Sequence, residues 1–275
     1  MLLSTKERGE AFMPRENYKL TFEKYFQKSS DLDCFEIMEF SEVFKNSNVM
    51  GQVVPSHVDD AEKDVSEGGV IRYKKKNVLC ENGNLVLKAT CQDSKFIGSM
   101  VKCSTRKFGN GYFEIKAKYP PFTPGVWPRM TIKAGGDKTV TEIDFAQVMG
   151  IRGKNACTLS ATYLNGTFCK NINYLYSPNN VWPRYYPEID SPELLSEGFH
   201  ILGFEKTDRD VVFSVDGIVF SRIDIDNPVF ECFKQEGELI LSVGVGYPRI
   251  EAPTLDTFAP CEMQIEYIKF YEEVK

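Results

Sequence analysis

Val211-Val212-Phe213-Ser214-Val215-Asp216-Gly217-Ile218-Val219-Phe220-Ser221-Arg222-Ile223 is the stretch that decides the fold class. Two runs rich in Val, Ile and Phe flank Asp216-Gly217, a dipeptide that tolerates the positive φ angles of a tight hairpin turn. Gly111 to Tyr119 gives a second signature, because Phe113, Ile115 and Ala117 alternate with Glu114, Lys116 and Lys118. That period of two marks a half-buried antiparallel strand. Asn84 to Thr90 follows an Asn82-Gly83 turn signal, and Leu20 to Phe26 alternates weakly. Glu238 to Val245 and Glu262 to Tyr271 read as further strands. No long helical period stands out, so short strands at regular spacing predict an all-β sandwich or barrel. Residues 41–69 carry Pro, Gly, Asp and Ser without periodicity and are expected to be loops. Residues 1–17 read as a loose N-terminal arm. Val126-Trp127-Pro128-Arg129 is echoed by Val181-Trp182-Pro183-Arg184, and one echo is not a repeat architecture.

Composition removes several functions. The chain of 275 residues carries 33 Lys+Arg against 39 Asp+Glu, a net charge of −6. A nucleic-acid binder shows a basic excess, so no nucleic-acid partner is expected. Lys74-Lys75-Lys76 reads as a strand edge protected against pairing. No apolar run approaches the roughly 18 residues of a membrane span. Eight Cys include no Cys-x-x-Cys pair, which argues against a zinc ribbon or a thioredoxin motif. The first residues carry no apolar core of signal-peptide length. The chain as written is therefore expected in a reducing, cytoplasmic compartment with free thiols; a leader ahead of Met1 would make it secreted. His57 and His200 are the only histidines, so a metal site built from several His is excluded. His57 sits in the polar, turn-like Val54-Pro55-Ser56-His57, and no Gly-x-Ser-x-Gly elbow occurs, which disfavours nucleophilic Ser or Cys catalysis.

The chemistry concentrates in Thr141-Glu142-Ile143-Asp144-Phe145-Ala146-Gln147-Val148. On a strand, Glu142 and Asp144 share one face and Ile143 and Phe145 the other. Two carboxylates on an otherwise apolar strand are costly unless paired or used. Gln147 falls on the opposite face of a regular strand, and a one-residue bulge would return it to the Glu142 side.

This stretch, with its surroundings, resembles glycoside hydrolase family 16, the laminarinase and lichenase clan, whose signature is Glu-x-Asp-x-x-Glu on a jelly-roll strand. Asn77-Val78 with Gly83-Asn84-Leu85-Val86-Leu87 is similar to the family's early strands. Phe108-Gly109-Asn110-Gly111-Tyr112-Phe113-Glu114-Ile115-Lys116-Ala117-Lys118 resembles its "yG-fEaRaK" strand, and Gly125-Val126-Trp127-Pro128 its "GxWPA" segment. Phe199-His200, the Val215-Asp216-Gly217 hairpin, Leu241 to Gly246 and Ile265 to Tyr271 resemble later landmarks in the same order. The match covers about residues 70–275, and residues 18–69 fit loosely. It implies an all-β, two-sheet antiparallel β-sandwich (jelly roll) with a concave carbohydrate cleft, as a single domain over residues 18–275.

The resemblance also implies roles. Glu142 is the nucleophile position, Asp144 the residue that orients it, and Gln147 the general acid/base position, where the family has Glu. Retaining glycosidases need two carboxyl groups about 5–5.5 Å apart, one attacking and one shuttling the proton. A carboxamide does neither, and general acid/base catalysis contributes about 10²–10⁴-fold. Other departures accompany it. Thr141 stands where Gly is frequent, and Trp127-Pro128-Arg129-Met130-Thr131 lacks the second Trp of "WPAfW". Lys116 stands where Arg is common, and Thr158 to Tyr163 lacks a His. Glu188-Ile189-Asp190-Ser191-Pro192-Glu193 fits the signature in full, but Pro187 and Pro192 argue against a central strand there. His200, beside Phe199 and before a strand pattern, reads as structural.

Three functions follow. The first is polysaccharide binding on this scaffold with impaired hydrolysis, Trp127, Arg129, Tyr112, Tyr163, Tyr185 and Tyr247 contacting sugar. The second is an active retaining endo-β-glucanase or galactanase with Glu142 as nucleophile. The third is a non-sugar interaction scaffold. No cofactor is required, a structural calcium is compatible with the resemblance, and a monomer is expected.

Overall fold

Period-two alternation gives each strand an apolar face and a polar face, and sheets form where apolar faces meet. The computed structural model describes residues 17–46, 53–58, 70–121, 123–135, 139–149, 154–163, 195–226, 233–246 and 253–274. Within them the strands run in chain order β1 (Tyr18–Tyr25), β2 (Phe35–Ile37), β3 (Phe40–Asn46), β4 (Val53–Val58), β5 (Val70–Tyr73) and β6 (Val78–Glu81). Next come β7 (Asn84–Gln92), β8 (Lys95–Ile97), β9 (Ser99–Cys103), β10 (Gly111–Lys118), β11 (Val126–Gly135) and β12 (Thr139–Met149). The last are β13 (Lys154–Tyr163), β14 (His200–Lys206), β15 (Asp210–Val215), β16 (Ile218–Asp224), β17 (Glu238–Val245) and β18 (Cys261–Glu273). Ser29–Leu32 and Lys75–Asn77 are 3₁₀ turns, and residues 233–234 have the same local conformation. No described helix is long and apolar enough to cross a membrane.

A nine-stranded sheet has the order β16-β15-β14-β10-β18-β7-β6, with β1 paired to β18 and β8 to β7. A six-stranded sheet has the order β13-β12-β11-β17-β9-β2. The core lies between them. Phe113, Ile115 and Ala117 of β10, Leu85 and Leu87 of β7 and Phe204 of β14 share one cluster with Met130 and Ile132 of β11, Ile143 of β12 and Leu239, Leu241 and Val243 of β17. Burying each large side chain of this kind stabilises the fold by about 1.5–3 kcal/mol. A bulge at Glu266 keeps the long β18 in phase: Ile265 pairs with Ala117 and Tyr267 with Lys116, so Ile265 and Ile268 both reach the core. The expected hairpins form with both central residues at positive φ, Asn82 at 51° and Gly83 at 79°, Asp216 at 50° and Gly217 at 78°. Cys34, Cys80, Cys91, Cys103 and Cys261 are free thiols.

Residues 41–69 depart from the loop expectation. They contribute β3 and β4, which with β5 form a three-stranded sheet of order β4-β3-β5. His57 therefore lies on a strand, not in a turn. Pro55 hid the strand from sequence reading; it is tolerated because β4 is an edge, where a missing N–H costs no ladder bond. Lys75 and Lys76 lie in a 3₁₀ turn between β5 and β6, so the lysine run is a connector rather than a strand edge. Of the expected N-terminal arm, residues 1–16 lie outside the described residues.

The small sheet matters for position. On β11, Val126, Met130 and Ile132 face the core, so Trp127, Arg129, Thr131 and Lys133 occupy the outward face. Ile71 and Tyr73 of β5 pack there with Trp127, Met100 and Ile240, and Met38 and Phe40 pack against this group. Gly244 lies beneath it: a Cβ on this residue would stand 3.3 Å from Tyr73 Oη and 3.6 Å from Trp127 Cε3.

Candidate functional site

The outward face of β11 and β12 assembles the carboxylate motif. Register pairs Lys133 with Glu142, Thr131 with Asp144 and Arg129 with Gln147. Met130 pairs with Ala146, so Phe145 is the extra residue of a bulge. Without it, position 147 would fall out of the row; with it, Glu142, Asp144 and Gln147 all pair with the alternate, outward positions of β11. On the other side of β12 the row meets Ser160, Thr158 and Ala156 of β13.

Both carboxylates are paired with cations, Asp144 in a buried position and Glu142 in a half-buried one. Glu142 Oε1 lies 3.0 Å from Lys133 Nζ, and Glu142 Oε2 lies 3.6 Å from Arg129 Nη1. The same Arg129 nitrogen lies 3.8 Å from Asp144 Oδ1, which also accepts a hydrogen bond from the Thr131 hydroxyl. The Arg129 guanidinium sits over the Trp127 ring, 4.5 Å from its centroid. Asp144 and Arg129 are buried, and the Glu142 side chain keeps 24% of its exposure. Burial by itself would raise the Glu142 carboxyl; Lys133 and then Arg129 overturn that and hold it below the usual carboxylate range. Glu142 is thus ionised, as a nucleophile must be, yet bound to an ammonium that attack on a sugar carbon would have to displace.

Two expected sugar contacts are buried, Trp127 beside the row and Tyr112 on the other sheet. Trp127 is only 7% exposed, its ring covered by the Ile71 and Tyr73 group, and offers no free face for stacking. Tyr112 lies on β10 in the nine-stranded sheet, buried beside Tyr271, and does not join the carboxylates. Arg129 does join them, as a partner of Glu142 and Asp144. Tyr185, Tyr247, the Glu188–Glu193 stretch and the Trp182 echo lie outside the described residues, as do the side chains of Tyr163 and Gln147. His200 opens β14, buried, with Nδ1 2.7 Å from Asp216 Oδ2, a contact that anchors the β15–β16 turn. Among the described residues no three His, Cys, Asp or Glu side chains come together as a metal site, so no acidic cluster there would hold a calcium.

Sequence reasoning missed Lys133 and the covering residues Ile71 and Tyr73. The available signal was the alternation Trp127, Arg129, Thr131, Lys133, which puts two cations on the face that β12 shares.

Known proteins agree with this architecture. The profile described as Glycosyl hydrolases family 16 matches residues 66–242. The laminarinase catalytic domain from Thermotoga maritima MSB8 superposes with a TM-score of 0.60 at 20% identity, covering 94% of this chain and 100% of that one. The laminarinase from Flavobacterium sp. UMI-01 gives a TM-score of 0.62 at 18% identity, with 92% and 100% covered. The kappa-carrageenase from Zobellia galactanivorans gives 0.58 at 20% identity, with 73% and 82% covered. No curated protein sequence matches. The profile spans more than half of the residues and includes the whole β11–β12 row, and the chain belongs to the glycosyl hydrolases of family 16.

Proposed function

We propose that this chain binds a β-glucan-type polysaccharide on a family 16 scaffold and hydrolyses it poorly or not at all. The observation that carries the reading is the ion pair of Glu142 with Lys133 at 3.0 Å, backed by Arg129 at 3.6 Å. It constrains the nucleophile position, while Gln147 supplies no proton at the acid/base position. The two changes act on different requirements of one reaction. Glycosyl transfer to Glu142 needs an unencumbered carboxylate, and departure of the leaving oxygen needs an acid. The laminarinase and carrageenase neighbours share the fold at low identity, which supports a glycan as ligand class without selecting one.

The test is reducing-end release from a panel of β-glucans and galactans, run on the natural chain, Gln147→Glu and Gln147→Glu with Lys133→Ala. The expected result is negligible release by the natural chain and the largest gain in the double variant, on the order of 10²–10⁴-fold. Release by the natural chain at the rate of the variants would overturn the reading and establish a working hydrolase with another proton donor. Absence of both release and glycan binding in every variant would overturn it in favour of an interaction scaffold.

A further inference from the structure

The outward face of the nine-stranded sheet carries a second constellation, remote in the fold from the β11–β12 row. Three rows cross β1, β18 and β10. The first joins Tyr25, Tyr267 and Lys116; the second Glu23, Lys269 and Glu114; the third Leu20, Tyr271 and Tyr112. Tyr25 is 42% exposed and Leu20 41%, so both large apolar side chains stand open to solvent on this face. The Tyr25 and Tyr267 rings are 5.7 Å apart. Tyr267 Oη donates to Glu114 Oε1 at 2.9 Å, and Lys269 Nζ sits 4.7 Å from the Tyr267 ring centroid. The Lys269 ammonium reaches Glu114 at 3.7 Å and Glu23 at 4.0 Å, long pairs with capacity for further hydrogen bonds.

We propose that this strip, with Tyr25 and Tyr271 as ring platforms and Glu23, Lys269 and Glu114 between them, is a second glycan-binding surface for a short stretch of neutral pyranose chain. Three observations select that occupant. The negative π-face of a tyrosine matches the weakly positive C–H face of a pyranose. The central row alternates in sign, Glu23, Lys269, Glu114, which attracts neither a polyanion nor a polycation and suits hydroxyls that both donate and accept. The size is that of a small ligand: four residues along β18 by three strands spans roughly 13 by 10 Å. A stable second copy needs about 800 Å² on each partner, several times that area. The surface is independent of the reading of Glu142 and Gln147, since no residue is shared.

The experiment is calorimetric titration with short β-1,3- and β-1,4-linked gluco-oligosaccharides of the natural chain, Tyr25→Ala/Tyr271→Ala and Glu142→Gln. Urea midpoints check that both variants fold, and Glu23→Gln/Glu114→Gln, which keeps the rings, replaces the Ala pair if it does not. The expected result is a binding class weakened about tenfold or more in the tyrosine variant and unchanged in Glu142→Gln. For the Glu23→Gln/Glu114→Gln pair the expectation is loss in the same direction, and unchanged binding there would overturn the proposal. Binding that falls only in Glu142→Gln would overturn this proposal while sustaining the β12 site. A tyrosine variant that binds sugar normally but changes mass in light scattering would overturn it in favour of contact between copies.

Discussion

Replacing Arg129 with Met tests the electrostatic logic of the site most directly. Arg129 is 8% exposed, and its guanidinium stands 3.6 Å from Glu142 and 3.8 Å from Asp144. Removing one partner of a buried ion pair costs about 3–5 kcal/mol, because a charge is left uncompensated. Here the lower end applies, about 3 kcal/mol on the same scale, since Glu142 keeps Lys133 and Asp144 keeps the Thr131 hydroxyl. The lost contact with the Trp127 ring adds about 0.5–2 kcal/mol, part of which the thioether of Met restores. The sign with pH follows from Glu142. Its folded carboxyl lies below the unfolded one, so its pairing stabilises above the unfolded pKa and is lost as pH falls through the folded value. Arg129→Met moves the folded value upward, so the variant loses most at pH 7 and less at pH 3. The assay is urea denaturation at both pH values with equal slopes. With slopes of about 1–3 kcal/mol/M, the pH 7 midpoint drops by about 1 M or more and the pH 3 midpoint by visibly less. Equal shifts at the two pH values, or a pH 7 shift within error, would refute the pairing and leave Arg129 as a packing residue.

Two further outcomes are expected. Trp127→Ala should lower stability by about 3–5 kcal/mol, the range for buried aromatic truncation, and the better-folded Trp127→Phe should titrate with glycan as the natural chain does; selective loss of sugar affinity in Trp127→Phe would show that the Ile71 and Tyr73 cover opens. Lys206, 1% exposed with Nζ 2.6 Å from the Gln235 carbonyl, is pushed down to about 8 by burial against the opposing pull of Glu236 and Asp208. A lysine depressed in the fold binds fewer protons there than in the unfolded chain, so stability rises with pH between about 8 and the unfolded value near 10.4. Lys206→Met should flatten that slope in denaturation curves across the window, and a slope identical to that of the natural chain would rule out Lys206 as its source.

What could be read from sequence was what neighbours along the chain decide. Asn82-Gly83 and Asp216-Gly217 announce their turns because the required positive φ is a property of those residues alone. Phe113, Ile115 and Ala117 announce an inward face by the same locality. The pairing of Gln147 with the outward row was conditional on a bulge, and a bulge is a relation between two strands; the sequence allowed Phe145 to be the extra residue and did not require it. The strands β3 and β4 were illegible because Pro55 reads as a breaker until it is known to lie on an edge. Trp127 misled for a related reason: an outward aromatic next to two acids has the pattern of a sugar platform, and only the stacking of a distant strand, with Ile71 and Tyr73, turns it into core.

That covering also explains why the carboxylates cannot be read singly. Arg129 and Asp144 occupy the outward face and are nevertheless buried, so their charges have to be answered within the row, not by water. Glu142 and Asp144 against Arg129 and Lys133 make a balanced set of two and two. Position 147 pairs directly with Arg129, and a third carboxylate there would compete with Glu142 and Asp144 for the same guanidinium. On the proposed function, the amide at 147 and the cations on β11 are therefore one coupled change. Arg129 neutralises the acids that a neutral 147 leaves behind, and restoring Glu at 147 alone should raise a carboxyl pKa in the row before it restores a rate. A two-step recovery, larger when Lys133 is also removed, is the kinetic signature of that coupling. A full recovery from Gln147→Glu alone would show the two changes to be independent.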